Sequence, residues 1–317
     1  MAEEQAVTPR WSARRLATHG TRVVAAVGAR VDGQPAAIAA SVDGRVHCWS
    51  VTDGTSLFEL TVLGPRALAV AGDRLLVAQD DGEVTGYSLQ AWPAPVTFLA
   101  PARGAAVTAL ATFAPAPGDD RLVAAAADGS VTLWQDMGTP AKPQVLRPPG
   151  GEAGSLAVAR DDSRHIVHVV VDDGRIERWA VTADGQVDPL PPLQRPSSVE
   201  SGTVRLAVGR DERGRPSLLV TSRRTVFGES AAGWIPLAPP RTEHLATLHA
   251  TADGSVAAVG GPGGSLTLLG APHVDDDRPE RVALGDRRIT AIGSVGDAFV
   301  VGDEGGGVWV VEPTDRE

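Results

Sequence analysis

The chain has 317 residues, 43% of them hydrophobic but only 4% aromatic, and Gly 36 with Pro 24 supply about a fifth of the length. That composition suits many tight turns and suits long helices poorly. A net charge of −10 opposes a phosphate backbone, and no apolar run approaches the roughly 18 residues of a membrane span, so nucleic acid and membrane are not expected partners.

The first residues, 1–8, are acidic and read as a disordered tail. With no apolar signal segment there, and Cys48 the one cysteine, a reducing cytoplasmic location is expected. The remainder, 9–317, reads as one domain without a linker. Trp11 to Thr18 is a strand-length segment with no repeat unit of its own. The next stretch introduces a phrase that recurs: an apolar run, Asp-Gly, then a second apolar run ending in an aromatic. It occurs around Asp43-Gly44, Asp81-Gly82, Asp128-Gly129 and Asp173-Gly174, whose glycines lie 38, 47 and 45 residues apart. The phrase then fades. Arg223-Arg224 takes the turn position before Phe227, Pro262-Gly263-Gly264 precedes Leu266, and Glu304-Gly305-Gly306 precedes Val308. These positions make seven units of about 40–50 residues, the period of propeller blades.

One unit shows the local physics. Arg121 to Ala127 is a strand-length apolar run, and Asp128-Gly129 supplies the positive φ angles of a two-residue hairpin. Ser130 to Trp134 returns antiparallel with Val131 and Leu133 on one face, Thr132 and Trp134 on the other. Val107 to Phe113 precedes the hairpin and Pro143 to Leu146 follows it, giving four strands per unit. Each unit opens on an alanine-rich strand (Val24–Val27, Ala67–Val70, Ser155–Val158, Arg205–Val208, Ile289–Ile292) that suits a crowded innermost position. The expected fold is therefore all-β: a seven-bladed β-propeller of four-stranded antiparallel blades near 21–64, 65–100, 104–148, 153–195, 203–240, 243–285 and 287–313. The segment 9–20 supplies the last blade's missing outer strand and closes the ring, which removes exposed sheet edges.

These features resemble the WD40 repeat family. In blade one, His19 stands four residues before Val23, Ser41 two before Asp43, and Trp49 six after Asp43. The resemblance implies that His19, Ser41, Asp43 and Trp49 form a structural hydrogen-bonded tetrad, and that Asp81, Asp128 and Asp173 are turn and tetrad residues. Departures are substantial. No Trp-Asp pair exists, Tyr87 replaces the tryptophan in blade two, and Glu229, Leu269 and Val311 occupy that position in blades five to seven.

Residues with chemical potential read as structural. His19, Ser41 and Asp43 have the letters of a hydrolase triad, but the serine lies on a strand and no Gly-x-Ser-x-Gly elbow exists. His165 and His168 fall on opposite strand faces, as do His244 and His249, and Asp275 to Asp277 lacks the glycine and glutamate of a calcium loop. Gly260 to Gly264 has no Lys-Ser/Thr and no helix behind it, so it reads as a hairpin turn. Cys48 reads as an inert buried thiol.

One constellation suggests binding. Arg22, Arg66, Arg205, His244 and Arg288 stand at the entry to the first strands, near one channel mouth, where forked guanidinium groups suit carboxylates. No cofactor or metal is expected. The expected function is a non-catalytic protein–protein interaction scaffold, acting alone or as a subunit of a hetero-complex in a bacterial multi-component assembly. The alternatives are a hydrolase or lyase, or a small-anion or sugar sensor, using the channel mouth.

Overall fold

The structure, a computed structural model, describes residues 11–90, 95–99, 104–137, 143–172, 174–196, 204–210, 215–221, 225–230, 233–237, 247–251, 254–270 and 279–314. The expected tail at 1–8, Asp173, Arg223-Arg224, His244 and Asp275 to Asp277 lie outside these residues.

The described chain forms seven four-stranded antiparallel sheets. Blade one contains β2 (Val23–Val31), β3 (Gln34–Ser41), β4 (Arg45–Ser50) and β5 (Ser56–Thr61). Blade two contains β6 (Pro65–Ala71), β7 (Arg74–Gln79), β8 (Val84–Ser88) and β9 (Pro95–Leu99). Blade three contains β10 (Val107–Phe113), β11 (Arg121–Ala126), β12 (Val131–Trp134) and β13 (Gln144–Arg147). Blade four contains β14 (Ala153–Asp161), β15 (Arg164–Val171), β16 (Arg175–Thr182) and β17 (Val187–Leu193). Blade five is β18 (Leu206–Arg210) to β21 (Gly233–Pro236), and blade six is β22 (Thr247–Ala250) to β25 (Glu280–Ala283). Blade seven combines β26 (Ile289–Val295), β27 (Ala298–Asp303) and β28 (Gly307–Pro313) with β1 (Trp11–Thr18). The expected closure is therefore present: β1 runs antiparallel to β28, from the Trp11–Pro313 pair to the Thr18–Gly307 pair.

Alternation within each strand builds the ring. Successive side chains point to opposite sheet faces, so every blade contributes to two cores. In blade one Ile38, Val46 and Cys48 pack toward blade two, whereas Ala37, Ala39 and Trp49 pack toward blade seven. In blade three Val131 and Leu133 face blade four, and Trp134 faces blade two. Seven such clusters lie one at each junction between neighbouring blades. Middle strands buried on both faces read as continuous apolar runs for this reason.

The innermost strands carry an irregularity that the alanine pattern does not announce. The register slips after the first paired residue in β2, β6, β10, β14 and β26, leaving Val24, Arg66, Thr108, Gly154-Ser155 and Thr290 as bulge residues. A bulge rotates its extra residue out of the ladder. Here it aims hydroxyls at the adjoining blade. Thr108 donates to the Ala153 carbonyl at 2.7 Å, Thr290 to the Val23 carbonyl at 2.6 Å, and Ser155 accepts from the Leu206 N–H at 3.0 Å.

Candidate functional site

The hairpin turns between second and third strands open on one face, together with the loops that lead from one blade into the next. The turn geometry follows from the sequence. Gly44 adopts φ 90°, and its N–H donates to the Ser41 carbonyl at 3.0 Å, closing the turn before β4.

Blade one brings the four expected tetrad positions together. His19 follows β1 and precedes β2, so it sits at the seam between blades seven and one, with its N–H bonded to the Gly306 carbonyl at 2.6 Å. The Ser41 hydroxyl lies 3.1 Å from His19 Nδ1 and 2.6 Å from Asp43 Oδ1. Trp49 meets the His19 ring edge-on at 5.3 Å between centroids, and His47 stacks on the same indole at 4.3 Å while meeting His19 edge-on at 6.1 Å. Burial holds the His19 pKa below its usual value, with the neighbouring His47 adding to the effect. The Ser41 hydroxyl bond draws the Asp43 pKa down. Ser41 is fully buried and shares its oxygen among His19, Asp43 and the Arg45 carbonyl. No solute reaches that oxygen, so these three residues do not have the layout of a nucleophilic triad. A second such grouping, unread in the sequence, lies outward from it: His47 Nε2 bonds Ser56 Oγ at 2.7 Å, with Glu59 at 3.9 Å from His47 Nδ1. The latter separation is too long for a hydrogen bond. It is a cross-strand polar contact between β4 and β5.

The turn aspartates hold their own turns. Asp81 accepts from the Glu83 N–H at 2.9 Å, and Asp128 accepts from the Ser130 N–H at 3.0 Å and its hydroxyl at 2.6 Å. Blade seven has an unread version. Asp303 accepts from the N–H groups of Gly305 and Gly307, each at 2.8 Å, while its other oxygen accepts from the Trp309 indole at 3.2 Å. The six-residue Asp-to-Trp spacing of blade one is present, but two positions earlier relative to the turn glycine.

Cys48 is fully buried, and burial pushes its thiol up to about 12. His165 packs on Phe113 toward blade three, and His168 points to the opposite side of β15, where burial lowers its pKa to about 4. His249 Nε2 lies 3.1 Å from Ser294 Oγ on β26, and its pKa is likewise lowered by burial to about 4. Gly261 N–H donates to the Ser265 carbonyl at 3.0 Å, making the glycine-rich stretch a hairpin turn. No group of three or more metal-ligating side chains occurs among the described residues. No helix there is long and apolar enough to cross a membrane.

The arginines do not share one register. Arg22 and Arg288 occupy the same place in adjoining blades: each carbonyl accepts from the residue just past the second strand, Val42 at 3.0 Å and Glu304 at 2.9 Å. Arg66 sits farther along, at the β6 bulge, and its guanidinium is held by Asp80. Arg205 donates to the Val204 carbonyl at 3.0 Å, and its N–H bonds the Thr221 hydroxyl at 3.0 Å. Other arginines on this face are struts. Arg147 on β13 reaches Asp172 at 3.2 Å and Glu177 at 3.3 Å in the next blade. Val42, whose N–H is bonded to the Arg22 carbonyl, is 52% exposed, and Leu63, which follows the Val62 bonded to Gly44, is 78% exposed.

No family model matches this chain, and no curated protein matches it.

Proposed function

We propose that this chain is a non-catalytic interaction module, a closed ring that presents its hairpin-turn face to protein partners in a bacterial, cytoplasmic assembly. The observation that carries the reading is Leu63: a leucine left 78% exposed on the turn face of a ring whose other leucines and valines are largely enclosed between blades. Contiguous apolar surface rimmed by polar groups marks protein-binding sites, and Val42, 52% exposed on the turn to which the Leu63 loop is bonded, extends that of Leu63. Two further considerations support it. The repeated aspartates are occupied by their own turns, and blade one resembles the WD40 family, whose members largely act as scaffolds; fold-level likeness is an analogy and carries less weight.

Affinity purification of the tagged full chain from its native host, followed by mass measurement of the eluted complex, tests this. A co-eluting protein in fixed stoichiometry is expected. Elution of the chain alone, together with turnover of a small substrate by the pure protein, overturns the reading.

A further inference from the structure

The turn face is not uniform around the ring. Most of its arginines are neutralised by carboxylates: Arg66 by Asp80, Arg147 by Asp172 and Glu177, Arg175 by Glu177, and Arg45 lies 3.6 Å from both Asp43 and Glu59. At the junction of blades seven, one and two the pattern breaks. Among the described residues, the guanidinium groups of Arg22 and Arg288 have no carboxylate within ion-pairing distance, and both residues are exposed. They flank one turn of blade seven. A Cβ at Gly306 would stand 2.7 Å from the Thr21 carbonyl, next to Arg22, and a Cβ at Gly305 would stand 3.3 Å from Arg287 Cγ, next to Arg288.

The apolar side chains lie on the same sector. Val42 N–H is bonded to the Arg22 carbonyl, and Val62, next to Leu63, donates to the Gly44 carbonyl at 2.7 Å. The turn holding Val42 therefore lies between Arg22 and the loop that displays Leu63. An exposed valine and leucine next to two arginines that have no carboxylate partner among the described residues, in a chain of net charge −10, form a surface of mixed character.

Resting on the interaction-module reading, we infer that this sector docks a protein segment in which aspartates or glutamates flank a leucine- or phenylalanine-sized side chain. The carboxylates would pair with Arg22 and Arg288, which offer forked donors. The apolar residue would cover Val42 and Leu63. The apolar side chains select the occupant: a phosphate chain satisfies Arg22 and Arg288 but gains nothing from Val42 and Leu63, whereas an acidic segment carrying a large apolar residue uses all four.

The test pans a displayed random dodecapeptide library against the immobilised full chain, then titrates the enriched synthetic peptides by fluorescence anisotropy. Enriched peptides are expected to combine acidic and large apolar residues and to bind more weakly as salt rises. Leu63→Asp and the double variant Arg22→Glu with Arg288→Glu should each weaken them tenfold or more. Both alter exposed side chains, and unchanged melting temperatures show that the fold is kept. Arg66→Gln, whose wild-type guanidinium is already paired, should change binding less than twofold. The proposal is overturned by no enrichment, enrichment without acidic bias, affinities indifferent to both variants, or equal competition by a single-stranded oligonucleotide. A concentration-dependent dimer of the chain that Leu63→Asp abolishes overturns it in favour of a second copy as occupant. Peptides that bind but ignore the variants would leave the interaction-module reading standing and only this sector wrong.

Discussion

The Thr290 hydroxyl donates to the Val23 carbonyl at 2.6 Å, so the first residue of the first blade is bonded to the bulge of the last. The same hydroxyl lies 3.3 Å from the Gly302 carbonyl within its own blade. A single side chain thus joins the innermost strands of the last and first blades.

Replacing Thr290 with valine keeps the shape and removes the donor, leaving the carbonyl of the buried Val23 without it. Urea unfolding should show a loss of about 1–2 kcal/mol. Thr290→Ser should stay within about 0.5 kcal/mol of the parent. Equal losses for the two variants would assign the effect to packing.

The seam also depends on two glycines that face each other across it. A Cβ on Gly28 would lie 2.2 Å from the Ser294 carbonyl oxygen, and one on Gly293 would lie 2.5 Å from the Ala26 oxygen. Both neighbours are backbone and cannot step aside. Gly28→Ala and Gly293→Ala should each cost about 1–3 kcal/mol or more, as overpacking does. Gly20→Ala, with nothing within 4 Å of its Cβ, serves as the control and should be nearly neutral.

Asp303 caps a turn and holds an indole. Asp303→Ala should destabilise by about 2 kcal/mol, since the buried Gly307 N–H, the Gly305 N–H and the Trp309 indole lose an acceptor. Asp303→Asn keeps one oxygen and should cost less. The Trp309 indole proton resonance should shift and exchange faster with solvent in both. A resonance unchanged in Asp303→Ala would mean that the indole finds another acceptor.

Acid should weaken the fold above the range where carboxylates titrate. His168 and His249 have native pKa values near 4 against an ordinary 6.5, because burial opposes their charged form. The native chain therefore binds fewer protons than the unfolded chain between those limits, and stability is present above about pH 6.5 and lost as pH falls toward 4. Each histidine contributes a slope of about 1.4 kcal/mol per pH unit in that window. Urea midpoints from pH 7 to pH 5 should decline accordingly, and His168→Gln should make the decline shallower. A midpoint flat across this range would contradict the desolvation of the two rings, His168 buried and His249 half-buried.

Much of this was legible in the residues. The Asp-Gly turn and strict alternation locate a blade because a hairpin turn and a two-sided sheet constrain local sequence strongly, as Asp128-Gly129 with Val131, Leu133 and Trp134 shows. The bulges were not legible, because Val24, Arg66 and Thr290 share no chemistry and the slip is set by how neighbouring sheets meet. That slip is also why Arg66, itself the bulge residue of β6, stands apart from Arg22 and Arg288, which precede the first paired residues of their blades. Asp303 and Trp309 escaped notice since their pairing is displaced by two residues from the turn glycine, and counting from the glycine lands on Val311. The exposure of Leu63 depends on a loop path between blades that no local pattern encodes.

The pairing of β1 with β28 has a mechanical side. Trp11 lies opposite Pro313, so the chain enters and leaves this sheet side by side at the same end of the pair. Tension applied through both flanks would load the ladder one rung at a time, peeling it from Trp11–Pro313 inward, where a sheared pair would resist with all its bonds together. The ring is thus easiest to open at the one place where it was closed, and any larger assembly that pulls on its two flanks holds the latch of the whole disc.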